Sequence, residues 1–290
     1  MAELTEYLLI GLLSGGVSAL VALSFVLVYK GTGVLNFAVG EIMMLGAYLY
    51  YAATVTLGLA PVASFALSLV AIAVLAVGIE TAVLRPLAGQ PVVSVLMASI
   101  GLASILHGGV EALWGGDTRT VPGLVPRTPV MLGDVMVPGA ALGNFALAAL
   151  LIAGLLAFFR YSAMGVAMRA TASDPVTAAT LGINIRAAQR LTWILSGVVG
   201  TVAGVLISGS AGLSPLLASM ALSVFAAIIL GGLDSVLGAI VASILVGCLD
   251  AVTVGYLGGK ARDVLPYVVV LAILAVRPYG LFGTRAIERL

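Results

Sequence analysis

The chain is organised as nine apolar stretches separated by short polar segments. Most are about as long as the ~20 residues that a helix needs to cross the hydrocarbon core of a membrane. Because a backbone in lipid must form its hydrogen bonds within its own segment, and because these runs do not alternate every second residue, they predict helices and exclude barrel strands. The predicted segments are residues 7–28, 33–57, 61–84, 91–113, 139–159, 191–212, 215–230, 237–257 and 264–276.

The seventh and ninth segments are short for a simple crossing, so we expect them to be tilted, broken or re-entrant. The predicted fold is therefore an all-α, polytopic helical bundle with about eight to nine transmembrane segments, and residues 1–290 form one membrane domain. No basic region precedes the first segment and no small-residue cleavage site follows it. We interpret it as a span and not as a removable signal.

Composition points to the same class of protein. Hydrophobic residues make up 62% of the chain, charged residues make up 9%, and the mean hydropathy is +1.23. A soluble domain is nearer to half apolar and one quarter charged. The net charge of +1 argues against a nucleic-acid partner, and the single cysteine, Cys248, permits no intrachain disulfide.

The basic residues predict the direction in which the chain crosses the membrane. With nine crossings and the N-terminus outside, nine basic residues are cytoplasmic and four are external, which is the bias of the positive-inside rule. The cytoplasmic set is Lys30, Arg85, Arg160, Arg169, Arg186, Arg190, Arg277, Arg285 and Arg289, and the external set is Arg119, Arg127, Lys260 and Arg262. The tail, residues 277–290, is then cytoplasmic.

The longest external loop is predicted at residues 114–138. Its four prolines, Pro122, Pro126, Pro129 and Pro138, predict a stiff and non-helical segment, because proline fixes φ and lacks an N–H donor. The loop is either a simple connector or a docking surface for an external partner.

Several kinds of chemistry are excluded by missing motifs. The chain has no G-x-x-x-x-G-K-[ST] loop with which to bind ATP phosphates, and no G-x-S-x-G nucleophile elbow. One histidine and one cysteine cannot form a zinc site of the usual kind. We therefore predict no catalytic residue, no metal and no cofactor. An intramembrane hydrolase stays conceivable only because serines are plentiful.

A polar segment rich in small residues interrupts the apolar pattern at residues 160–190. Asp174 and Pro175 are typical of a helix start, since the Asp side chain accepts from free N–H groups and Pro suits the first helical position. A short helix is predicted over residues 176–181, ending at Gly182. Small side chains such as Ala178 allow another surface to approach. The segment is either an ordinary loop or a docking site.

Ionisable residues within the apolar segments mark a possible translocation path, because a charge at the membrane centre normally faces protein or water. They are Glu41, Glu80, Glu111 and Asp250. We expect Glu41 about two turns into its helix, where it pairs with Lys30 or an arginine if it is structural. His107 and Glu111 are one helical turn apart near the outer end, where interfacial water is an alternative partner.

Four motifs follow one another along the chain. The first is residues 33–48 (GVLNFAVGEIMMLGAY) and the second is residues 165–184 (GVAMRATASDPVTAATLGIN). The third is residues 227–239 (AIILGGLDSVLGA), and the fourth is residues 277–283 (RPYGLFG). In this order, the four motifs resemble those of the permeases of bacterial branched-chain amino-acid ABC transporters.

The resemblance implies a permease subunit in the bacterial inner membrane. It implies two cytoplasmic ATPase subunits, a second permease chain, identical or not, and an external solute-binding protein, with a small neutral amino acid as the solute. The implied ATPase-coupling residues are Arg169, Ala170, Thr171, Asp174, Pro175, Ala178, Leu181 and Gly182. The possible path residues are Asn36, Glu41, Glu111 and Asp250, of which Asn36 and Glu41 belong to the first motif.

Two other transport functions stay open at this point. A permease for urea or short amides uses the same kind of importer. An ion-coupled secondary transporter needs no ATPase and is typically built from inverted repeats with discontinuous helices.

Overall fold

The computed structural model describes residues 2–87, 89–125, 128–132, 135–262, 264–277 and 280–283. Thirteen α-helices and one short hairpin lie in this part of the chain. They are α1 Ala2–Thr32, α2 Ala38–Tyr51, α3 Pro61–Ile79, α4 Val92–Trp114, β1 Val130–Leu132, β2 Val135–Val137, α5 Gly139–Tyr161, α6 Ala163–Ser173, α7 Pro175–Thr180, α8 Ile185–Ala211, α9 Leu216–Ser223, α10 Phe225–Gly231, α11 Val236–Leu257, α12 Gly259–Arg262 and α13 Leu265–Val276. Both α2 and α3 continue for one wider π-helical turn, over Ala52–Thr56 and Glu80–Leu84, and a 3-10 turn, Arg85–Leu87, follows the second.

The predicted all-α membrane bundle is confirmed. Seven helices in the described part of the chain are long and apolar enough to cross a membrane, and Leu216–Gly231 forms a shorter apolar unit. This unit is the predicted seventh segment, and it is interrupted at Val224. The predicted ninth segment is the 12-residue helix α13.

Close glycine contacts fix the central helices. A Cβ on Gly11 would lie 2.4 Å from Cys248 Cα, and one on Gly15 would lie 2.8 Å from Ile244 Cα. Only glycine therefore lets α1 and α11 touch through their backbones, as the small-xxx-small pattern predicts. The same spacing of small residues, Gly200-x-x-x-Gly204, occurs in α8, where only the second glycine is closely packed. A Cβ on Gly204 would lie 2.6 Å from Met43 O, whereas the nearest atom to a Cβ on Gly200 would be at an ordinary 3.6 Å.

Contacts between helices define their relative directions. The contacts of Gly11 and Gly15 run backwards along α11, so α1 and α11 are antiparallel. Phe37 N donates to Ser99 Oγ, and the rings of Tyr48 and Trp114 are 5.4 Å apart, so α2 and α4 are parallel. This pattern is the one that successive membrane crossings produce.

The bundle consequently has two distinct ends. The hairpin end carries β1 and β2, and the loop end carries residues 160–190. Seven described basic residues lie at or next to the loop end, namely Lys30, Arg85, Arg160, Arg169, Arg186, Arg190 and Arg277, and three lie at the hairpin end, namely Arg119, Lys260 and Arg262. The remaining predicted members of the two sets, Arg127, Arg285 and Arg289, lie outside the described residues.

The hairpin end is tied to the bundle by polar contacts. Arg119 forms a backbone bridge with Leu213, and its side chain donates to Tyr51 Oη at 3.1 Å. Tyr50 Oη donates to Pro122 O at 2.9 Å. The segment before β1 contains no helix over its described residues 115–125 and 128–129, as its prolines predict, but the hairpin itself was not predicted.

Burial separates central helices from peripheral ones. In α1 and α8, 72% of the most apolar window is buried, compared with 6% in α4 and 11% in α5. The largest fully buried side chains include Phe25, Tyr48 and Tyr50. The core therefore lies among α1, α2 and α8, and α4 packs against it mainly through α2.

Candidate functional site

The segment 160–190 folds into two short helices at the loop end of the bundle. Ser162 begins α6 by accepting from Gly165 N at 2.9 Å. A Cβ at Gly165 would lie 2.4 Å from Phe158 O, so glycine allows the sharp reversal between α5 and α6. The second helix, α7, is the predicted one, whereas α6 was not predicted, because its pattern of small residues gives only a weak helical signal.

The predicted caps of α7 are confirmed. Asp174 Oδ1 accepts from Val176 N and Thr177 N, each at 3.0 Å, and the Thr177 hydroxyl donates to Oδ2. The hydrogen bond from the Thr177 side chain, followed by the one from its backbone, lowers the pKa of Asp174. At the other end Gly182 has φ +81°, a left-handed conformation that glycine adopts without strain.

The loop residues divide into an exposed set and a buried set. Arg169, Asp174, Pro175, Leu181 and Gly182 are exposed, and Ala170 is half-buried. Thr171 and Ala178 are buried against the protein itself. Those two side chains therefore hold the loop in place, and the surface that approaches Ala178 is the protein's own bundle.

Exposed apolar side chains give α7 the character of a contact surface. Val176 is 74% exposed and Leu181 is 75% exposed. Both lie beyond the long apolar helices, where water or a partner protein surrounds them. These two exposed apolar side chains are therefore available for contact with a partner protein.

The loop is joined to the bundle through α8. Asn184 Oδ1 caps α8 by accepting from Ala187 N at 3.1 Å. Five residues into α8, Arg190 Nε lies 3.5 Å from Glu80 Oε2, and Arg85 Nε lies 3.5 Å from Glu80 Oε1. Glu80 is buried, so this ion-pair cluster connects the start of α8 with the end of α3.

A second site is a cavity of about 540 Å³ between α2, α4 and α9. Its apolar wall is formed by Phe37, Ile100 and Leu222, and its polar wall by Glu41, Ser104 and His107, with Ala103 and Gly108 between them. Small-molecule sites in proteins have volumes of ~300–1,000 Å³ and a similar mixture of apolar walls and a few polar groups.

Three ionisable side chains form a row at this cavity. Glu41 Oε2 lies 3.1 Å from His107 Nδ1, and His107 Nε2 lies 3.5 Å from Glu111 Oε1. The exposed fraction of the side chains falls from 52% at Glu111 to 38% at His107 and 15% at Glu41. The row therefore leads from the edge of α4 towards the interior of the bundle.

This geometry corrects the predicted surroundings of Glu41. The residue lies in the first turn of α2 and not two turns into a helix, because residues 33–37 are not helical. Its partner is His107, whereas Lys30 donates to Asp234 O at 3.4 Å. The predicted pairing with Lys30 or an arginine was wrong, and nothing in the sequence pattern links positions 41 and 107.

The other predicted path residues have different positions. Asn36 is buried, and its Oδ1 accepts from Ala38 N at 2.7 Å, so it caps the start of α2. Asp250 lies on α11 and is not among the residues that line the cavity. Of the four predicted path residues, the structure thus brings together Glu41 and Glu111 through His107.

An aromatic contact lies beside the cavity, where two helices are interrupted. The rings of Phe37 and Phe225 stack with their centres 6.0 Å apart, and the ring of Phe25 meets Phe225 edge-on at 4.8 Å. Phe37 immediately precedes α2 and Phe225 begins α10. Relative movement of these helices therefore changes the wall of the cavity. Over the described residues, no three His, Cys, Asp or Glu side chains are grouped so as to hold a metal ion.

Comparison with known proteins finds sequence relatives along almost the whole chain. A sequence model of the family described as branched-chain amino acid transport system / permease component matches residues 7–274. The high-affinity branched-chain amino acid transport system permease protein BraD of Pseudomonas aeruginosa is 29% identical over 306 residues, covering 100% of both chains. The corresponding permease protein LivH of Escherichia coli is 30% identical, covering 96% of this chain and 95% of LivH.

Among solved structures, PsaBC from Streptococcus pneumoniae in complex with Fab covers 93% of this chain and 88% of that chain. The TM-score is 0.44 and the sequence identity is 16%.

Proposed function

Because the chain belongs to the family of branched-chain amino acid transport permeases, we propose that it is the membrane-spanning subunit of an ABC importer for leucine, isoleucine and valine. The observation that carries this proposal is the family match over residues 7–274, which includes nearly every membrane helix. The relatives named above are permeases of branched-chain amino acid transport and not of urea or amide transport. The family match equally disfavours the ion-coupled carrier.

Energy for import comes from separate ATP-binding subunits, which dock on the 160–190 loop. Support comes from the exposed Val176 and Leu181 on a helix that is capped at both ends. The chain has no phosphate-binding loop of its own. ATP hydrolysis therefore belongs to the partners, and this subunit has no catalytic residue.

The importer also contains a second permease chain and an external solute-binding protein. Glu111 on α4 supports a second permease, because a half-exposed carboxylate within a membrane helix has to face water or protein. The solute-binding protein docks at the hairpin end. Met131 of β1 is exposed and offers an apolar side chain for such docking.

The protein lies in the bacterial cytoplasmic membrane with its N-terminus outside and its C-terminus inside. Among the described residues, seven basic residues lie at the loop end and three at the hairpin end. This excess favours a cytoplasmic position for the loop end. This orientation puts the coupling loop on the side where ATP is available.

Transport occurs by alternating access. Closure of the ATPases moves α7 and, through the Asn184 cap, the start of α8. Arg190 then transmits the movement to Glu80 at the end of α3. Because α8 packs along α1, α2 and α3, a shift of α8 changes the helices that border the cavity.

Reconstitution of purified components in liposomes tests this proposal. We expect leucine uptake that depends on internal ATP, and only when the ATPases, the second permease and the solute-binding protein are all present. Leucine accumulation driven by a proton or sodium gradient through this chain alone would establish a secondary carrier. Strong competition by urea without competition by isoleucine or valine would establish the amide permease.

A further inference from the structure

The ionisable row at the cavity has a surplus of negative charge. Glu41 and Glu111 contribute two carboxylates, and His107 between them contributes at most one positive charge. In a membrane segment such groups face protein or water, and not lipid. The row therefore favours a ligand with a positive group and disfavours one with only a carboxylate.

The carboxylate of Glu41 has an oxygen available for a ligand. Oε2 is engaged by His107 Nδ1 at 3.1 Å. None of the residues that the structure describes bonds to Oε1. Because Glu41 is the innermost member of the row and lines the cavity, Oε1 is the acceptor that a bound ammonium group reaches.

The remaining wall suits an aliphatic group. Phe37, Ile100 and Leu222 line the cavity without contributing a polar side-chain atom. Ile100 is 44% exposed and Leu222 is 46% exposed, so each has apolar surface still to be covered. Burial of that surface against an aliphatic solute side chain removes apolar area from water and so favours binding.

We propose that this cavity binds the amino acid in transit, with the α-ammonium group at Glu41 and the aliphatic side chain against Phe37, Ile100 and Leu222. The proposal rests on the proposed function and adds a site of solute recognition in the permease itself. Glu111 and His107 act as positioning residues, His107 by holding Glu41 in place and Glu111 by holding His107.

Protection of a cysteine in the cavity tests the site directly. Ser104 is exposed and lines the cavity, so Ser104→Cys is introduced after replacement of the native Cys248 by serine. The assembled complex reacts with a neutral methanethiosulfonate while leucine is raised through the millimolar range. The comparison ligand is 4-methylpentanoate, which has the carbon skeleton of leucine without the amino group.

We expect leucine to slow labelling at position 104 and 4-methylpentanoate to have no effect. With Glu41→Gln, the same protection should require at least about tenfold more leucine, because the charge-assisted hydrogen bond between the ammonium group and Glu41 is lost. Glu3→Gln, exposed in the first turn of α1 and outside the cavity lining, should leave protection unchanged. Thr56→Cys, exposed at the end of α2 and outside the cavity, should label at the same rate with and without leucine.

Equal protection by both ligands, or full protection with Glu41→Gln, overturns the ammonium assignment. An absence of protection by leucine, or of any labelling at position 104, overturns the cavity as the solute site. If the Glu41→Gln complex does not assemble, the comparison of leucine with 4-methylpentanoate in the complex with native Glu41 still tests the ammonium assignment. ATP-driven leucine uptake by the same complex is measured in parallel. Uptake without protection would refute only the proposed solute site, whereas absence of uptake would refute the proposed function.

Discussion

The 160–190 loop and the cavity are held together in opposite ways. In the loop, the caps join residues two or three positions apart, as in Asp174 with Val176 and Ser162 with Gly165. In the cavity, the pair Glu41 and His107 joins residues 66 positions apart on separate helices. A locally held element keeps its shape when it moves, whereas a site shared between helices changes whenever they shift. This difference suits the loop to receive a force and the cavity to respond to it.

The connection between the two regions runs through α8 and the Glu80 cluster. The carboxylate of Glu80 has one oxygen 3.5 Å from Arg85 and the other 3.5 Å from Arg190. The first arginine follows α3 and the second belongs to α8. The cluster is therefore the polar link through which the start of α8 and the end of α3 move together.

Removal of this link should have the largest effect on stability. Glu80→Ala leaves two arginines without their carboxylate, and we expect a loss of about 2–3 kcal/mol in the free energy of unfolding. The value lies below the ~3–5 kcal/mol of a fully buried pair because both arginines are half-exposed. Unfolding of the purified protein in detergent measures it, with the exposed Glu3→Ala as control. Equal stability of the two variants would refute a structural link.

A matched pair of asparagine caps separates the two regions more sharply. Asn36 caps α2 beside the cavity and is buried, whereas Asn184 caps α8 at the loop and is exposed. Asn36→Ala should cost about 1–2 kcal/mol, because a buried N–H loses its acceptor. It should reduce leucine uptake while ATPase association stays normal.

Asn184→Ala should show the reverse pattern, with weaker ATPase association and a smaller loss of stability. Both quantities come from one purification followed by an uptake assay. Identical behaviour of the two variants would mean that the two regions do not have separate roles.

The smallest effect is expected at the end of α7. Gly182→Val places a β-branched residue at φ +81° and should weaken the local structure by about 1 kcal/mol, which corresponds to about fivefold weaker ATPase association. Ala179→Val, on an exposed helical position of the same element, is the control and should leave association unchanged. Unaltered association with Gly182→Val would show that the shape of this turn is irrelevant to docking.

Sequence reasoning predicted the local features well. The ends of α7 are set by the chemistry of single residues: Asp174 is a hydrogen-bond acceptor, Pro175 suits the first helical position, and Gly182 adopts a left-handed conformation. A short stretch of sequence is therefore enough to predict this helix. The apolar segments were found for the same reason, because membrane helices must satisfy their backbone groups within one continuous run. The interruption at Val224 has no comparable local signal.

Contacts between segments that are far apart in sequence could not be predicted in this way. The pairing of Glu41 with His107 and of Glu80 with Arg190 depends on which helices are neighbours, and one sequence does not contain that information. His107 and Glu111 were recognisable as a pair because their spacing of four residues places them on one helix face. The third member of the row became evident only when α2 was placed beside α4.

Docking of the ATPase subunits on α7 is the most direct test of the account. Val176→Ser combined with Leu181→Ser removes two exposed apolar side chains and leaves Asp174 and Gly182, which flank the helix, unchanged. The account predicts a stable permease with normal thermal unfolding that no longer retains its ATPases during purification and no longer takes up leucine, whereas Leu57→Ser, exposed at the hairpin end, behaves as wild type. Full ATPase retention and full ATP-driven uptake by the double variant would contradict it.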